Sequence, residues 1–307
     1  MRAFVTGGHG FVGGWLLQHL EAAGDEVVAP PPSVDVTDGP GLSAAMAGAR
    51  PEAVYHLAGF THVGQSWDAP EETFRVNALG ALNLLEAARH CPSPPKVLLV
   101  SSAEVYGQVD ADQLPITETT PLRPVSPYAA SKVAAEYLGV QAHLGRGLPV
   151  VRVRPFNHIG PGQSPDFVVS AMAKRIVEVE RSGRQELRVG NLSPRRDFTD
   201  VRDVVRAYRL AVVRGQVGEA YNVASGTDMA IGDLVRRLAD LSGVDLRLVT
   251  DSGLERPTDV AVLRGDAARL RAATGWEPEI SLDDTLRAVL DHWRVAASGA
   301  DGGTSVG

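Results

Sequence analysis

The stretch that decides the fold is "VTGGHGFVGG" (5–14), close to the start of a chain of 307 residues. Three glycines spaced three positions apart follow a short strand pattern and lead into a helical one. In such a unit one glycine makes the tight turn, one lets the backbone approach a diphosphate, and one lets helix and strand pack closely. The free N–H groups of the first helical turn then face the anion. The cofactor residues predicted in this stretch are Gly7, Gly10, Phe11, Val12 and Gly13.

The first half of the chain alternates β-branched runs with helical stretches, which is typical of a parallel sheet covered by helices. Strands are predicted at 2–7, 26–30, 52–59, 95–102 and 148–155, and helices at 10–24, 70–90 and 127–145. Together with the glycine stretch, this alternation predicts an α/β fold with a Rossmann-like, doubly wound parallel sheet.

The second half has a looser pattern and predicts a smaller C-terminal substrate-binding lobe. We expect a loop at 157–167, helices at 168–183, 230–243 and 281–294, a strand at 219–226, and a turn that becomes a helix over 195–215. The expected domains are a dinucleotide-binding Rossmann domain at 1–155, rejoined by about 195–226, a nucleotide-sugar lobe at 156–194 and 227–295, and a disordered tail at 296–307. The tail has almost no apolar bulk.

Composition excludes several classes of protein. A net charge of -7 argues against a nucleic-acid partner, and no apolar run approaches the roughly 20 residues that span a bilayer. The N-terminus lacks the apolar region of a signal peptide, and the single cysteine, Cys91, fits a reducing compartment. His56, His62 and His158 lack metal-ligand spacing. We therefore expect a cytoplasmic protein without a metal site, a membrane partner or a nucleic-acid partner.

A tyrosine and a lysine stand one helical turn apart in "SPYAASK" (126–132), although only three of the 30 Lys and Arg residues are lysines. A Tyr hydroxyl normally has a pKa near 10, too high for efficient proton transfer at neutral pH. The Lys132 ammonium and the positive charge of an oxidised nicotinamide would stabilise the Tyr128 phenolate and lower that pKa. Arg is a poorer substitute for a compact ammonium. The pair predicts catalysis.

The ends of two predicted strands bear on the substrate and the cofactor. "VSSAEVYG" (100–107) follows the fourth strand, at the edge where such sheets bind ligands. Ser102 could hold a substrate oxygen, and Glu104 could be a base or a structural carboxylate. The second strand ends in "VVAPPPSVDVTD" (27–38), with neither an acidic residue for NAD nor an Arg for NADP at the expected place. Asp35 is better placed for the adenine edge of the cofactor than for its ribose. Since neither discriminating residue is present, the cofactor can be NADP or NAD.

The motifs "TGGHGFVG", "YHLAG", "VNALGALNLLEA", "SSAEVYG" and "SPYAASK" resemble those of extended short-chain dehydrogenase/reductases that act on nucleotide sugars. The resemblance covers roughly residues 1–294. In the second half, "RPFNHIGPGQ", "VGNLSPRRDFTDVRDVVRAY", "YNVASG", "RPTDV" and "TGWEP" are similar to GDP-4-keto-6-deoxymannose reductases. GDP-mannose 4,6-dehydratases share segments like "HVGQSWDAP" but resemble the second half less well. The shortened "APPPSVDVTD" segment departs from the family pattern.

This resemblance implies roles for individual residues and a homodimer packed through the helix that bears Tyr128 and Lys132. The implied catalytic residues are Ser102, Tyr128, Lys132 and Glu104. The implied cofactor residues beyond the glycine stretch are Asp35, Val36, Leu57, Ala58, Gly59, Asn77, Ser101, Tyr128, Lys132 and Pro155. The implied residues for a nucleotide-diphosphate sugar are Ser102, Glu104, Tyr128, Asn157, Lys174, Arg196 and Arg256, with arginines suited to bidentate binding of phosphate.

Four functions remain open, and reduction of a GDP-4-keto-6-deoxy sugar at carbon 4, of the GDP-rhamnose-forming type, is favoured. It needs a hydride from the nicotinamide, a proton from Tyr128 and a hydroxyl such as Ser102 on the oxygen. A 4,6-dehydratase also needs a base, for which Glu104 is a candidate, and a polar neighbour where this chain has Ala103. A 4-epimerase is a further enzyme alternative. A cofactor-binding sensor would tolerate loss of Tyr128 or Lys132, and this chain has both.

Overall fold

This computed structural model describes residues 1–182, 186–250 and 260–301. The strands are β1 Arg2–Thr6, β2 Glu26–Val28, β3 Ala53–His56, β4 Lys96–Val100, β5 Val150–Pro155, β6 Asn157–Ile159, β7 Glu186–Val189, β8 Arg195–Asp200, β9 Ala220–Val223, β10 Asp228–Ala230, β11 Arg247–Thr250 and β12 Val262–Leu263. The helices are α1 Phe11–Ala22, α2 Gly39–Ala49, α3 Pro70–Phe74, α4 Gly80–Arg89, α5 Pro127–Arg146, α6 Val168–Ser182, α7 Val201–Arg214, α8 Ile231–Ser242, α9 Ala268–Thr274 and α10 Leu282–Asp301. A π-helical turn, Arg75–Leu79, joins α3 to α4.

The larger of the sheets is parallel throughout and has the order β2-β1-β3-β4-β5-β9. The chain runs from β1 to β2 at one edge and then crosses over to β3 on the other side of β1. A ligand crevice forms at such a switch point, outside the carboxyl ends of the strands.

Helices cover both faces of this sheet. On one face Leu16 of α1 and Tyr208 of α7 share a core with Val151 and Val153 of β5. On the other face Leu42 of α2 and α4 residues pack against Phe4, Val54 and Val97. The Rossmann-like, doubly wound fold predicted from the strand–helix alternation is confirmed. Within the described ranges, no helix is long and apolar enough to cross a membrane.

A smaller lobe stands over the carboxyl edge of the sheet. Its sheet has the order β10-β8-β12, with β6 also paired to β8, and β7 pairs with β11. Helices α6, α8 and α10 bury a core of their own, which includes Ile176, Leu234, Leu238 and Leu290. The lobe and the strand ends enclose the space in which a ligand can bind.

The structure differs from three local predictions. Residues 195–200, predicted as a turn, form β8, because β10, β12 and β6 all pair with it. The chain therefore returns to the larger sheet with α7, from Val201 onward, and 195–200 belong to the lobe. Strand β6 occupies the start of the predicted loop at 157–167. Helix α10 continues to Asp301, into the segment predicted to be disordered, because Ala297 packs against the lobe core and its carbonyl accepts from Arg181.

Candidate active site

A cavity of about 1050 Å³ lies between the carboxyl edge of the larger sheet and the lobe. The glycine turn, the ends of β3 and β4, and the start of α5 line its sheet side. Helix α6 and the segment after β7 line its lobe side. Its size suits a dinucleotide together with a second ligand, since small-molecule pockets are roughly 300–1,000 Å³.

The glycine turn comes too close to its neighbours to carry side chains. Gly7 has a φ of +72°, and a Cβ placed there would lie 2.6 Å from the Ala58 amide nitrogen. A Cβ on Gly13 would lie 2.1 Å from the Gly7 carbonyl oxygen. Helix α1 begins after Gly10 without a side-chain cap and without an acidic residue in its first turn. The backbone N–H groups of the first turn of α1 form a cradle that fits a dinucleotide diphosphate.

Helix α5 positions the tyrosine and the lysine. Ser126 caps its N-terminus by accepting from the Ala129 N–H at 3.1 Å, and Pro127 suits the first helical position. Tyr128 and Lys132 are each 8% exposed and share one face of the helix. Lys132 Nζ lies 5.9 Å from the Tyr128 ring centroid and donates to the Val100 carbonyl oxygen at 3.2 Å.

Ser102 reaches Tyr128 from the end of β4. The Ser102 side chain lies beside the Tyr128 hydroxyl, and the Ser102 hydroxyl accepts from the Glu104 N–H at 3.2 Å. Ala103 and Glu104 follow in a short 3₁₀ turn, and both line the cavity. The predicted catalytic residues are therefore brought together at one wall.

Burial dominates the electrostatics of this wall. Burial raises the pKa of Tyr128 to about 12, against the opposing effect of the Ser102 hydrogen bond, and the Glu104 charge raises it further. Burial also lowers the pKa of Lys132 to about 8. The Lys132 ammonium, 5.9 Å from the ring, does not offset the desolvation of the phenol, so the pKa of Tyr128 lies above its ordinary value.

Most of the predicted site residues line the cavity. They are Gly7, Gly10, Phe11, Val12, Gly13, Leu57, Ala58, Gly59, Ser101, Ser102, Glu104, Tyr128, Lys132, Pro155, Asn157 and Arg196. They come from the ends of β1, β3, β4, β5 and β8 and from the starts of α1 and α5. The parallel topology brings these distant parts of the chain to one edge.

Two predicted cofactor residues of the segment after β2 lie off the cavity. Asp35 is exposed, and its carboxylate accepts from the Thr37 N–H at 2.8 Å in a local turn. Val36 is buried, and its side chain occupies the space beside Gly80 at the start of α4. Their predicted contacts with the cofactor stay predictions.

Asn77 lines a small cavity together with Ala58, Ser101 and Lys132, which are also predicted cofactor residues. It is buried in the π-helical turn, where its amide accepts from the Phe60 N–H and donates to the Ser131 hydroxyl, each at 2.8 Å. It thereby joins the segment after β3 to α5, behind Lys132. Its role in this structure is to support the wall of the cavity.

Lys174 points away from the cavity. Its ammonium lies 5.5 Å from the Trp293 ring centroid, on the side of α6 that faces α10. Arg175, one position further along α6, lines the cavity and has no hydrogen-bond or ion-pair partner among the described residues. The helical spacing places Arg175 on the cavity side of α6. Val168, Ala171 and Arg175 are three and four residues apart, and all three line the cavity.

Arg196 lines the cavity from β8. Its guanidinium donates to the Val260 carbonyl oxygen at 2.7 Å and to the Arg195 carbonyl oxygen at 2.9 Å. Arg256, the other predicted diphosphate ligand, lies outside the described residues. The lobe side of the cavity thus carries two guanidinium groups, Arg175 and Arg196.

The histidines have structural partners. His56 is buried with its Nδ1 2.8 Å from the Thr6 hydroxyl, and burial lowers its pKa to about 3. The His158 ring stacks on Phe11 with centroids 6.4 Å apart. Across residues 1–182, 186–250 and 260–301, no three or more His, Cys, Asp and Glu side chains are grouped so as to hold a metal ion.

Comparison with known proteins agrees with this architecture. The profile of the family described as GDP-mannose 4,6 dehydratase matches residues 32–289. GDP-6-deoxy-D-mannose reductase of Pseudomonas aeruginosa is 40% identical over 95% of this chain and 97% of its own length. A GDP-mannose 4,6 dehydratase of Arabidopsis thaliana is 30% identical over 84% of this chain and 70% of its own.

Solved structures show the same fold. The structure of RMD from Pseudomonas aeruginosa complexed with NADPH has a TM-score of 0.90 and 40% identity, and the match covers 96% of this chain and 99% of that one. UDP-glucose 4-epimerase of Thermus thermophilus, in complex with NAD, has a TM-score of 0.85 and 32% identity, with 96% and 100% covered. The resemblance and the enzyme class predicted from the motifs are confirmed. The chain belongs to the GDP-mannose 4,6 dehydratase family of extended short-chain dehydrogenase/reductases, the nucleotide-sugar oxidoreductases.

Proposed function

We propose that this protein reduces a GDP-4-keto-6-deoxy sugar at carbon 4, turning GDP-4-keto-6-deoxymannose into a GDP-rhamnose-type product. The observation that carries the proposal is that Ser102, Tyr128 and Lys132 line one cavity together, with the apolar Ala103 beside them. The 40% identity to GDP-6-deoxy-D-mannose reductase supports the substrate class.

The residues divide the work of reducing a ketone. The glycine turn would hold NADPH or NADH, which would supply the hydride for carbon 4. Tyr128 donates its proton to the carbonyl oxygen as that oxygen gains charge, and Ser102 holds the oxygen by a hydrogen bond. The Lys132 ammonium stabilises the phenolate that remains until solvent returns the proton. One C–H bond and one O–H bond are formed, and the cofactor leaves oxidised.

Ala103 separates the reductase from a dehydratase. Elimination requires a base at carbon 5 and assistance to the hydroxyl that leaves carbon 6. Glu104 lines the cavity and could serve as the base, which makes a dehydratase the second candidate. The Ala103 methyl can neither donate a proton nor form a hydrogen bond with the leaving group. Reduction of the ketone requires neither removal of the carbon 5 proton nor departure of the carbon 6 hydroxyl. The residues present therefore suffice for reduction.

Arg175 and Arg196 are proposed to bind the nucleotide diphosphate. Both line the lobe side of the cavity, opposite the catalytic wall. A guanidinium group binds phosphate oxygens in a bidentate manner, and Arg175 has the more available group. The lobe, with Arg196 on its strand β8, would thus hold the nucleotide, with Asn157 near the sugar.

A homodimer and a cytoplasmic location are proposed with the activity. Phe74, Leu82, Tyr137 and Leu144, on helices α3 to α5, leave apolar surface exposed on one side of the sheet. Such patches mark protein contacts. The free thiol of Cys91 suits a reducing compartment, and fractionation of the producing cells checks the location.

Purified protein tests the function directly. It is incubated with GDP-mannose alone, and with the 4-keto-6-deoxy derivative plus NADPH or NADH. The proposal expects cofactor oxidation with the keto sugar, no change in GDP-mannose, and loss of turnover in Tyr128→Phe. Conversion of GDP-mannose to a keto sugar without added reductant would establish the dehydratase instead.

A further inference from the structure

A buried ion pair lies one helical turn beyond the catalytic lysine. Glu136 follows Lys132 by four residues on the same face of α5 and is 1% exposed. Its carboxylate accepts from Arg154 Nε through both oxygens at 3.1 Å, from Arg154 Nη2, and from Arg152 Nη1 at 3.2 Å. Both arginines come from β5, where alternation directs their side chains to the α5 side of the sheet.

The same guanidinium reaches the turn that carries Ser102. Arg154 Nη1 donates to the Tyr106 hydroxyl at 2.8 Å, and Tyr106 closes the 3₁₀ turn that begins after Ser102. The Tyr106 hydroxyl in turn donates to Asn222 Oδ1 at 2.7 Å, in the neighbouring strand β9. Arg154 Nη1 also donates to the Glu118 carbonyl oxygen at 3.1 Å.

Hydrogen bonds therefore connect the two halves of the catalytic wall behind the cavity. One half is α5 with Tyr128 and Lys132, and the other is the turn with Ser102. Neither Arg154 nor Glu136 belongs to the proposed proton-transfer set. Burying charges here is costly, and an apolar pair of similar volume would often be at least as stable. Fixed geometry accounts for the arrangement better than stability does.

We propose that Glu136 and Arg154 are positioning residues that hold Tyr128 and Lys132 in register with Ser102. The inference rests on the proposed function, because its measure is turnover of the keto sugar. An error of about 1 Å in a catalytic group can cost on the order of 10²-fold in rate. Loosening this pair should therefore lower kcat and leave ligand binding nearly intact.

The test compares Glu136→Gln, Arg154→Met and the double variant with the unaltered protein. We expect each single change to lower kcat about 10²-fold, with KM and the Kd for NADPH, measured by fluorescence, within about threefold. The kcat of the double variant should be only slightly lower than that of either single variant, because the effects of residues that act as a unit are not additive.

A matched pair at the opposite edge of the sheet controls for stability. Asp25 is also buried, at 8% exposed against 1% for Glu136, and it pairs with Arg209 at 2.7 Å and with the N-terminal ammonium at 2.9 Å. Asp25→Asn should lower the melting temperature and leave kcat unchanged below it. If Glu136→Gln fails to fold, Tyr106→Phe removes only the hydroxyl that joins Arg154 to the serine turn, and a loss of kcat is again expected.

The pH profile adds a readout that lost stability would not move. His56 on β3 and Glu136 on α5 line a small cavity with Lys132, Tyr128 lies one helical turn before it, and Arg152 and Arg154 on β5 pair with Glu136. Without the Glu136 charge, buried guanidinium groups disfavour the ammonium, so the alkaline limb of kcat/KM should move to lower pH. The inference would be overturned if Glu136→Gln kept its full kcat and the alkaline limb of its kcat/KM profile did not move. It would also be overturned if Glu136→Gln and Asp25→Asn lowered kcat equally. An unaltered protein that does not reduce the keto sugar would overturn the proposed function instead.

Discussion

Tyr128 and Lys132 work from a wall that water scarcely reaches. Their burial keeps the phenol protonated, with its pKa raised to about 12, and leaves the ammonium close to losing its proton, with its pKa lowered to about 8. A protonated phenol is the form that donates to a ketone oxygen. The ammonium is the form that stabilises the phenolate which follows. The two groups therefore fit reduction best below the pKa of Lys132.

The alkaline limb of kcat/KM tests this assignment. Because the Lys132 pKa is lowered, its charge is present below about 8 and is lost as the pH rises through that value. The rate of keto-sugar reduction should therefore fall above about pH 8, and kcat/KM reports groups of the free enzyme. In Lys132→Arg the guanidinium stays charged to a far higher pH. That variant should be slower and lack this limb, and a limb at the same pH in both proteins would exclude Lys132 as its origin.

The neighbouring cations of α6 offer a matched comparison. Arg175 lines the cavity without a partner among the described residues, whereas Lys174 stacks on Trp293 outside it. Arg175→Met should weaken GDP binding by about 1.5–3 kcal/mol, the usual contribution of a hydrogen bond to a charged group. Lys174→Met should leave GDP binding unchanged in the same calorimetric titration. The reverse order would return the phosphate role to Lys174.

The role of a residue could be predicted from the sequence where its side-chain chemistry and its spacing indicated the same site. The Tyr128–Lys132 spacing places both side chains on one helix face, and the structure has them there. Asp35 and Asn77 carry suitable groups, and their local hydrogen bonds to Thr37, Phe60 and Ser131 could not be predicted from the sequence. Whether Lys174 or Arg175 lines the cavity depends on how α6 is rotated relative to the rest of the lobe. The amino-acid composition does not determine that rotation.

At the scale of elements, the glycine turn and α1 make the sharpest prediction. A Cβ at Gly13 would lie 2.1 Å from the Gly7 carbonyl oxygen, whereas one at Gly14 would meet nothing within 4 Å. Gly13→Ala should destabilise the protein by about 1–3 kcal/mol through overpacking. It should also weaken NADPH binding at least about tenfold, or about 1.4 kcal/mol.

Gly14→Ala is the control in the same helix. It should be neutral or stabilise the protein by up to about 1 kcal/mol, since Ala is the better helix former. Thermal unfolding and fluorescence titration with NADPH measure both variants. Equal behaviour of the two would mean that the close approach of α1 to the turn is unimportant.

Elements were predictable where the pattern is local. The larger sheet follows from strand periodicities, and all six of its strands lie within the predicted ranges. Strand β8 was missed because "RRDFTD" becomes a strand only through its pairing with β6, β10 and β12. Helix α10 extends beyond its expected end because Ala297 finds a place against the lobe core.

At the scale of the whole molecule, the exposed apolar residues of α3 to α5 predict a dimer. Tyr137 and Leu144 of α5 are 59% and 77% exposed. Tyr137→Glu should dissociate the dimer in sedimentation at micromolar concentration, because the interface would bury an unpaired charge. Val213→Glu, at a similarly exposed position on α7 across the sheet, should leave the assembly intact. An unaltered protein that sediments as a monomer would contradict the dimer.

The most direct test of the reductase follows the hydride itself. The protein is given GDP-4-keto-6-deoxymannose with NADPH or NADH that carries deuterium at the transferable position, and the product is examined by NMR. We expect one deuterium on carbon 4 of the sugar for each cofactor oxidised, and none when Tyr128→Phe replaces the unaltered protein. A product without deuterium at carbon 4, or GDP-mannose consumed with no net oxidation of added cofactor, would contradict the assignment.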